Sequence, residues 1–202
     1  MRRTVLLLTV MAACLVMASG VALAVTKIGT DGPDRLRGTN GADTLIGKGG
    51  NDILLALAGD DTLLGGAGKD IVLGGSFARH LGGDKNLVGG GGNDFIGGGQ
   101  GSDNMVGGDG NDLLIDGNLR ESSRDNIAGG NGGDVILVDN VPAVRDVVSC
   151  GGGFDRVLAD REDTVARDCE RVKIVRGSRE EVRDQEDAFF ESLPESFLAG
   201  LP

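Results

Sequence analysis

The feature that most constrains this chain is a period of nine residues. Written in blocks of nine from Gly29, it reads GTDGPDRLR, GTNGADTLI, GKGGNDILL, ALAGDDTLL and GGAGKDIVL without a gap to Leu73. Residues 74–79 interrupt, and HLGGDKNLV, GGGGNDFIG, GGQGSDNMV and GGDGNDLLI then carry the register to Ile115. After residues 116–119 come RESSRDNIA and GGNGGDVIL, and after residues 138–140 come VPAVRDVVS and CGGGFDRVL, ending at Leu158. A unit this short cannot bury an apolar side chain alone, so the repeats must stack on one another into a solenoid.

Three positions of the repeat carry its chemistry. The sixth is Asp in twelve of thirteen windows: Asp34, Asp43, Asp52, Asp61, Asp70, Asp94, Asp103, Asp112, Asp125, Asp134, Asp146 and Asp155, with Lys85 the exception. The eighth is apolar throughout, from Leu36, Leu45 and Leu54 to Val148 and Val157. The fourth is Gly except at Ser123 and Val144. Glycine admits positive φ and close approach of backbone to a ligand, so the first residues of each block form a turn whose carbonyls can converge. The residues around the eighth position then form a three-residue strand with one apolar side chain inward and its neighbours outward.

Composition agrees with a thin, turn-rich architecture. Glycine supplies 37 residues, while Trp and Tyr are absent and Phe numbers 6, which leaves no material for an aromatic-packed globule. The formal net charge is -11, spread along the chain as Asp rather than gathered in one block. Nucleic acid would be repelled by such a surface. Hard cations are its natural partners.

The pattern G-G-x-G-x-D-x-U-x, matched here over residues 29–158, resembles the RTX, or hemolysin-type calcium-binding, repeat family. The resemblance implies an all-β fold, a right-handed parallel β-roll with two nonapeptides per turn and Ca2+ held between stacked turns. Repeats i and i+2 would share a site, placing Asp34, Asp52 and Asp70 on one edge and Asp43 and Asp61 on the other. The implied metal ligands are Asp34, Asp43, Asp52, Asp61, Asp70, Asp94, Asp103, Asp112, Asp125, Asp134 and Asp155, with turn carbonyls completing the oxygen set that calcium prefers over magnesium. Because such a site does not exist in the unfolded chain, ion binding and folding should be one event. Lys85 either occupies the cation position with its own ammonium or deletes a site, and no complete calcium site should use it. The interruptions at 74–79 and 116–119 could exchange the edges occupied by later aspartates.

Other chemistries fit less well. Phosphate-binding glycine loops need a following helix and a G-K-[ST] or G-x-G-x-x-G context, whereas here an Asp and a short strand follow. EF-hand loops need a twelve-residue pattern ending in Glu. His80 is the one histidine, so a zinc-protease motif is absent, and a hydrolytic triad would have to use Ser76, His80 and Asp84 inside the irregular stretch. A surface-loop histidine is the simpler reading. The chain is therefore expected to be a non-enzymatic structural or binding module, the alternatives being an extracellular hydrolase centred on His80 and a surface adhesion element.

Residues 1–24 read as a signal peptide. Arg2 and Arg3 precede an apolar run over residues 5–21, and Ala22-Leu23-Ala24 supplies a small-x-small cleavage pattern, so the mature chain would start at Val25 and be secreted, with no membrane contact after cleavage. An uncleaved anchor is the alternative. Met11-Ala12-Ala13-Cys14 is a poor lipoprotein box. With Cys14 removed, Cys150 and Cys169 remain as an even pair in an oxidising compartment, and a disulfide is expected. Residues 159–176 should cap the roll, with Val165 and Val172 extending a strand edge. Residues 177–202 are acidic, with Val182, Phe189, Phe190 and Leu193 near helical spacing; a docked short helix and a disordered tail are both open.

Overall fold

The computed structural model describes residues 23–75, 83, 85–116, 123–140, 143–175, 193 and 195–202. Most of the expected signal peptide lies outside these residues. So do Ser76, His80 and Asp84, residue 176 of the expected cap and residues 177–192 of the acidic tail, among them Val182, Phe189 and Phe190.

The described residues form sixteen strands and one short helix. In chain order the first eight are β1 (Thr26–Ile28), β2 (Arg35–Arg37), β3 (Thr44–Gly49), β4 (Ile53–Leu55), β5 (Thr62–Ala67), β6 (Ile71–Leu73), β7 (Asn86–Gly91) and β8 (Phe95–Gly97). The remainder are β9 (Asn104–Asp109), β10 (Leu113–Ile115), β11 (Asn126–Asn131), β12 (Val135–Val138), β13 (Val147–Gly152), β14 (Arg156–Ala159), β15 (Thr164–Val165) and β16 (Arg171–Ile174), followed by α1 (Glu195–Leu198). Odd-numbered strands pair in sequence order in one eight-stranded sheet and even-numbered strands in a second, every described pairing being parallel. The chain thus winds as a β-roll, crossing from one sheet to the other at each edge.

Register follows the period. Leu45 lies opposite Leu63, and Leu54 opposite Val72. The interruptions do not exchange the edges: Leu63 pairs with Leu87 across the first, and Met105 with Ile127 across the second. Register is kept across both because slipping one strand would carry its inward residue to the outer face.

The eighth-position side chains form the core, a single file between the sheets. Leu45, Leu54, Leu63, Val72, Leu87, Ile96, Met105, Leu114 and Ile136 are fully buried there, with Ile127, Val148 and Val157 continuing the file. One inward side chain per strand suffices because each touches its counterparts above, below and across.

The two sheets differ in a way the three-residue expectation did not anticipate. From β3 to β13 the odd strands have six residues and continue into the following turn. Gly66 shows why: with φ of +117° it keeps the turn backbone in the ladder, and a Cβ there would lie 2.1 Å from the Lys48 carbonyl oxygen. Only glycine reconciles that dihedral with that approach.

The ladders also run past the periodic windows. β1 pairs with β3 before the first window, and at the other end Val165 pairs with Val148 and Val172 with Val157. A second apolar cluster covers the outer face of the even sheet, where Leu193 and Phe197 pack on Leu113, Val135, Leu137 and Leu158. The last residues of the tail therefore dock through α1 against the roll. Asn93 Nδ2 donates to the Gly200 carbonyl at 3.3 Å in the same place.

Cys150 and Cys169 are joined in a disulfide with a Cα separation of 5.2 Å. It ties β13 to the stretch just before β16, closing a loop of 19 residues in separation. Replacing both cysteines by serine is expected to cost about 3 kcal/mol from the entropy returned to the unfolded chain. Denaturant unfolding of the oxidised protein and the double variant, both in calcium, measures this; equal midpoints would refute it.

Candidate metal centre

Each sixth-position Asp sits at the end of a turn, immediately before a strand, and points its carboxylate into the roll edge. The position is fixed by a ladder of side-chain to backbone hydrogen bonds. The Asp34 N–H donates to Asp52 Oδ1 at 2.8 Å, and Asp52 to Asp70, Asp70 to Asp94 and Asp94 to Asp112 at the same distance. Asp112 then donates to Asp134 at 2.9 Å and Asp134 to Asp155 at 2.8 Å. On the opposite edge the Asp43 N–H donates to Asp61 Oδ1, Lys85 to Asp103, Asp103 to Asp125 and Asp125 to Asp146.

One oxygen of each carboxylate is thereby used, and the other faces its neighbours. Asp52, Asp70, Asp94, Asp112, Asp134 and Asp155 are buried, and no donor reaches their Oδ2 atoms. A buried acceptor without a partner costs about 1–3 kcal/mol, and more when charged. Two unit charges 4.8 Å apart, the spacing of adjacent strands, repel by about 3 kcal/mol at an effective dielectric of 20. This edge therefore calls for positive charge or protons that the described residues do not supply there.

The first turn of each edge is different. Thr30 donates to Asp34 Oδ2 through its N–H at 2.6 Å and its hydroxyl at 2.9 Å, and Thr39 holds Asp43 in the same way. The threonine of the GTDG and GTNG blocks satisfies the oxygen that later turns leave bare.

Glycine at the first position of the block makes room for the carboxylate. A Cβ on Gly47 would lie 2.2 Å from Asp52 Oδ2 and 2.4 Å from the Gly65 carbonyl oxygen of the next turn. The same pair of oxygens, a same-turn carboxylate and a next-turn carbonyl, meets Gly65, Gly89, Gly107 and Gly129. Orphaned carboxylate oxygens, a next-turn carbonyl and a cradle that a methyl group would fill together form a hard-oxygen set suited to calcium. Gly47→Ala is expected to lose one bound ion and about 1–3 kcal/mol of stability in calcium. Gly49→Ala, whose Cβ would meet nothing closer than 3.7 Å, is the control. Thermal unfolding with ion counting decides; equal behaviour of the two variants would refute it.

Lys85 fills its own place differently from an aspartate. Its buried ammonium donates to the carbonyl oxygens of Gly59 and Gly83, both at 2.7 Å, and lies 3.8 Å from Asp61 Oδ2. Two turn carbonyls from successive turns and a sixth-position carboxylate thus converge on a cation that belongs to the chain.

Burial raises the pKa of several of these carboxyl groups, outweighing the backbone N–H bonds that lower it. Asp94 is pushed up to about 6, and Asp112 and Asp134 to about 7. Asp61, Asp70 and Asp155 shift in the same direction for the same reason.

Some buried or ladder acids escape the nonapeptide reading. Asp163 and Glu170 extend the two ladders, accepting from the Asp146 N–H at 3.0 Å and the Asp155 N–H at 2.9 Å. Asp116, Asp139 and Asp160 are also buried acids at turns. Their signal in the sequence is slight, an acid one or two residues after a strand triplet.

Residues 28–63, 46–80 and 82–114 match the family model of the RTX calcium-binding nonapeptide repeat, found in 4 copies. No curated protein and no solved structure matches the chain.

Proposed function

From the premise that residues 28–114 carry RTX calcium-binding nonapeptide repeats, we propose that this is an exported calcium-binding β-roll, ordered by Ca2+ outside the cell and acting as a structural or binding module rather than a catalyst. One observation carries the reading: a row of buried Oδ2 atoms at Asp52, Asp70, Asp94, Asp112, Asp134 and Asp155 along one edge, which no donor among the described residues reaches. Asp52, Asp70, Asp94, Asp112, Asp134 and Asp155 would hold ions along one edge, and Asp61, Asp103 and Asp125 along the other. Asp34 and Asp43, already satisfied by threonine, would contribute least.

Calcium, when bound, supplies the positive charge that lets stacked carboxylates remain ionised in a buried row. The chain does the rest. Its glycines open the cradle, its next-turn carbonyls complete the oxygen shell, and the Oδ1 ladder fixes each carboxylate so that little reorganisation accompanies binding. Residues 1–24 would direct export, and the Cys150–Cys169 bridge suits an oxidising compartment. Residues 159–176 would close the C-terminal end.

Equilibrium dialysis of the chain from Val25 against calcium, with magnesium as competitor, tests the proposal. Several calcium ions per chain are expected in the affinity range of extracellular modules, about 0.1–1 mM, with weak displacement by magnesium. Fewer than two ions per chain at millimolar calcium would refute it.

A further inference from the structure

We propose that Asp116, Asp103 and Asp125 form a three-carboxylate site for one divalent cation of calcium's size, separate in kind from the two-carboxylate repeat sites and tighter than they are. The inference rests on the calcium reading of the repeats and adds a ligand that the nonapeptide does not provide.

Asp116 directly follows β10, where other turns on this edge place the first glycine of a block. The backbone shows the equivalence. The Gly74 N–H donates to the Gly97 carbonyl, the Gly98 N–H to that of Ile115 and the Asp116 N–H to that of Leu137, each one turn further along. A side chain in this column is driven into the turn. A Cβ on Gly98 would lie 2.5 Å from Asp116 Oδ1 and 2.9 Å from Asp103 Oδ2, so the Asp116 carboxylate rests over Gly98 in space that the glycine leaves open.

Carboxylate oxygens of Asp103, Asp116 and Asp125 all lie within 4.8 Å of one another, and all three residues are buried. Calcium binds oxygen at about 2.3–2.6 Å, so ligand atoms on opposite sides of the ion stand up to about twice that apart. Magnesium, at about 2.0–2.1 Å, requires a tighter cluster. Asp116 is 1% exposed, and no donor among the described residues reaches either of its oxygens. A buried carboxylate with no described donor on either oxygen, aimed at two others, calls for positive charge or a proton among them.

The site is local to one turn. The column continues as Val138 and Ala159 in the turns that follow, so a third carboxylate is added there once. Lys85 stands one turn before, donating its N–H to Asp103 Oδ1 at 2.9 Å while its ammonium is turned to Asp61, Gly59 and Gly83. That ammonium is therefore committed to the preceding turn.

Calcium affinity rises with the number of charged ligands in the site. The test is calcium titration of the chain from Val25 at pH 7.5 against a chromophoric chelator, comparing wild type, Asp116→Asn and Asp116→Gly, with circular dichroism in saturating calcium to verify folding. Wild type should hold one ion about tenfold or more tighter than the rest. Both variants should lose that tight ion while binding the others as before, and the glycine variant, which places at this position the residue found at Gly98 one turn before, decides the matter if the asparagine variant does not fold. A tight ion retained in a folded variant would overturn the site and leave a proton shared between Asp116 and Asp125 as its occupant. A single uniform class of ions in the wild type would overturn this inference alone; no calcium binding at all would overturn the repeat reading with it.

Discussion

Chelating calcium at pH 7.5 is expected to remove most of the β-sheet signal of the chain, and acidifying the chelated protein to about pH 5 should restore part of it. The first half follows from the six Asp residues of one edge whose Oδ2 atoms no donor reaches. At about 1–3 kcal/mol or more each, their combined cost approaches or exceeds the whole stability of a typical domain, about 5–15 kcal/mol. The second half follows from the direction of the pKa shifts. Burial raises Asp94 to about 6 and Asp112 and Asp134 to about 7, from an ordinary 3.8. The metal-free fold therefore binds protons more tightly than the unfolded chain. Protonation stabilises it fully below about pH 4, and that stabilisation is lost as pH rises through 6 to 7. The calcium-loaded protein should respond in the opposite sense, because protons compete for the same oxygens. Far-ultraviolet circular dichroism at both pH values, with and without calcium, reads all four states. A chelated protein with full β signal at pH 7.5 would overturn the coupling.

Replacing Lys85 should produce the second large effect. Lys85→Met keeps the length of the side chain but strands the buried Asp61 carboxylate and the carbonyls of Gly59 and Gly83. Breaking a buried ion pair from one side costs about 3–5 kcal/mol, so a marked fall in thermal midpoint is expected in calcium. Lys85→Asp should restore the repeat pattern, add one calcium ion to the count, and fold only where calcium is plentiful. Calorimetry and ion counting separate the outcomes. Unchanged stability in Lys85→Met, with no ion gained in Lys85→Asp, would show that the ammonium is a bystander.

How far these features were visible in the sequence depended on how strictly each obeyed the period. Leu45, Leu54 and Leu63 could be placed in one inward file because a two-residue alternation and a nine-residue repeat agree at the eighth position. The assignment of Asp34, Asp52 and Asp70 to one edge and Asp43 and Asp61 to the other followed from the two nonapeptides per turn that the family resemblance implied, and the hydrogen-bond ladder pairs them in that order. Later edges were ambiguous, since spacing alone does not say whether six or four extra residues bulge out or shift the winding. The pairing of Leu63 with Leu87 and of Met105 with Ile127 shows that the winding is not shifted.

What was not legible lay where the period is broken. Asp116 opens a stretch that looks like an insertion, although it occupies the first position of a block. Asp163 follows Asp146 by 17 residues and Glu170 follows Asp155 by 15, whereas uninterrupted turns repeat at 18. A reading tuned to exact spacing passes over both. The six-residue odd strands were missed for another reason: the second-position glycines look like turn residues, yet at positive φ they continue the ladder.

Every described strand pairs only with the strands one full turn before and after it. Tension applied along the axis would therefore meet one turn at a time, peeling it from its neighbour rather than shearing the whole sheet. An uninterrupted turn of 18 residues that occupies about 4.8 Å of the stack could pay out to roughly 60 Å once freed. On the proposed reading, bound calcium would set the force at which each step yields, with the Lys85 ammonium and the Cys150–Cys169 bridge as rivets at two fixed points along an otherwise ion-dependent spring.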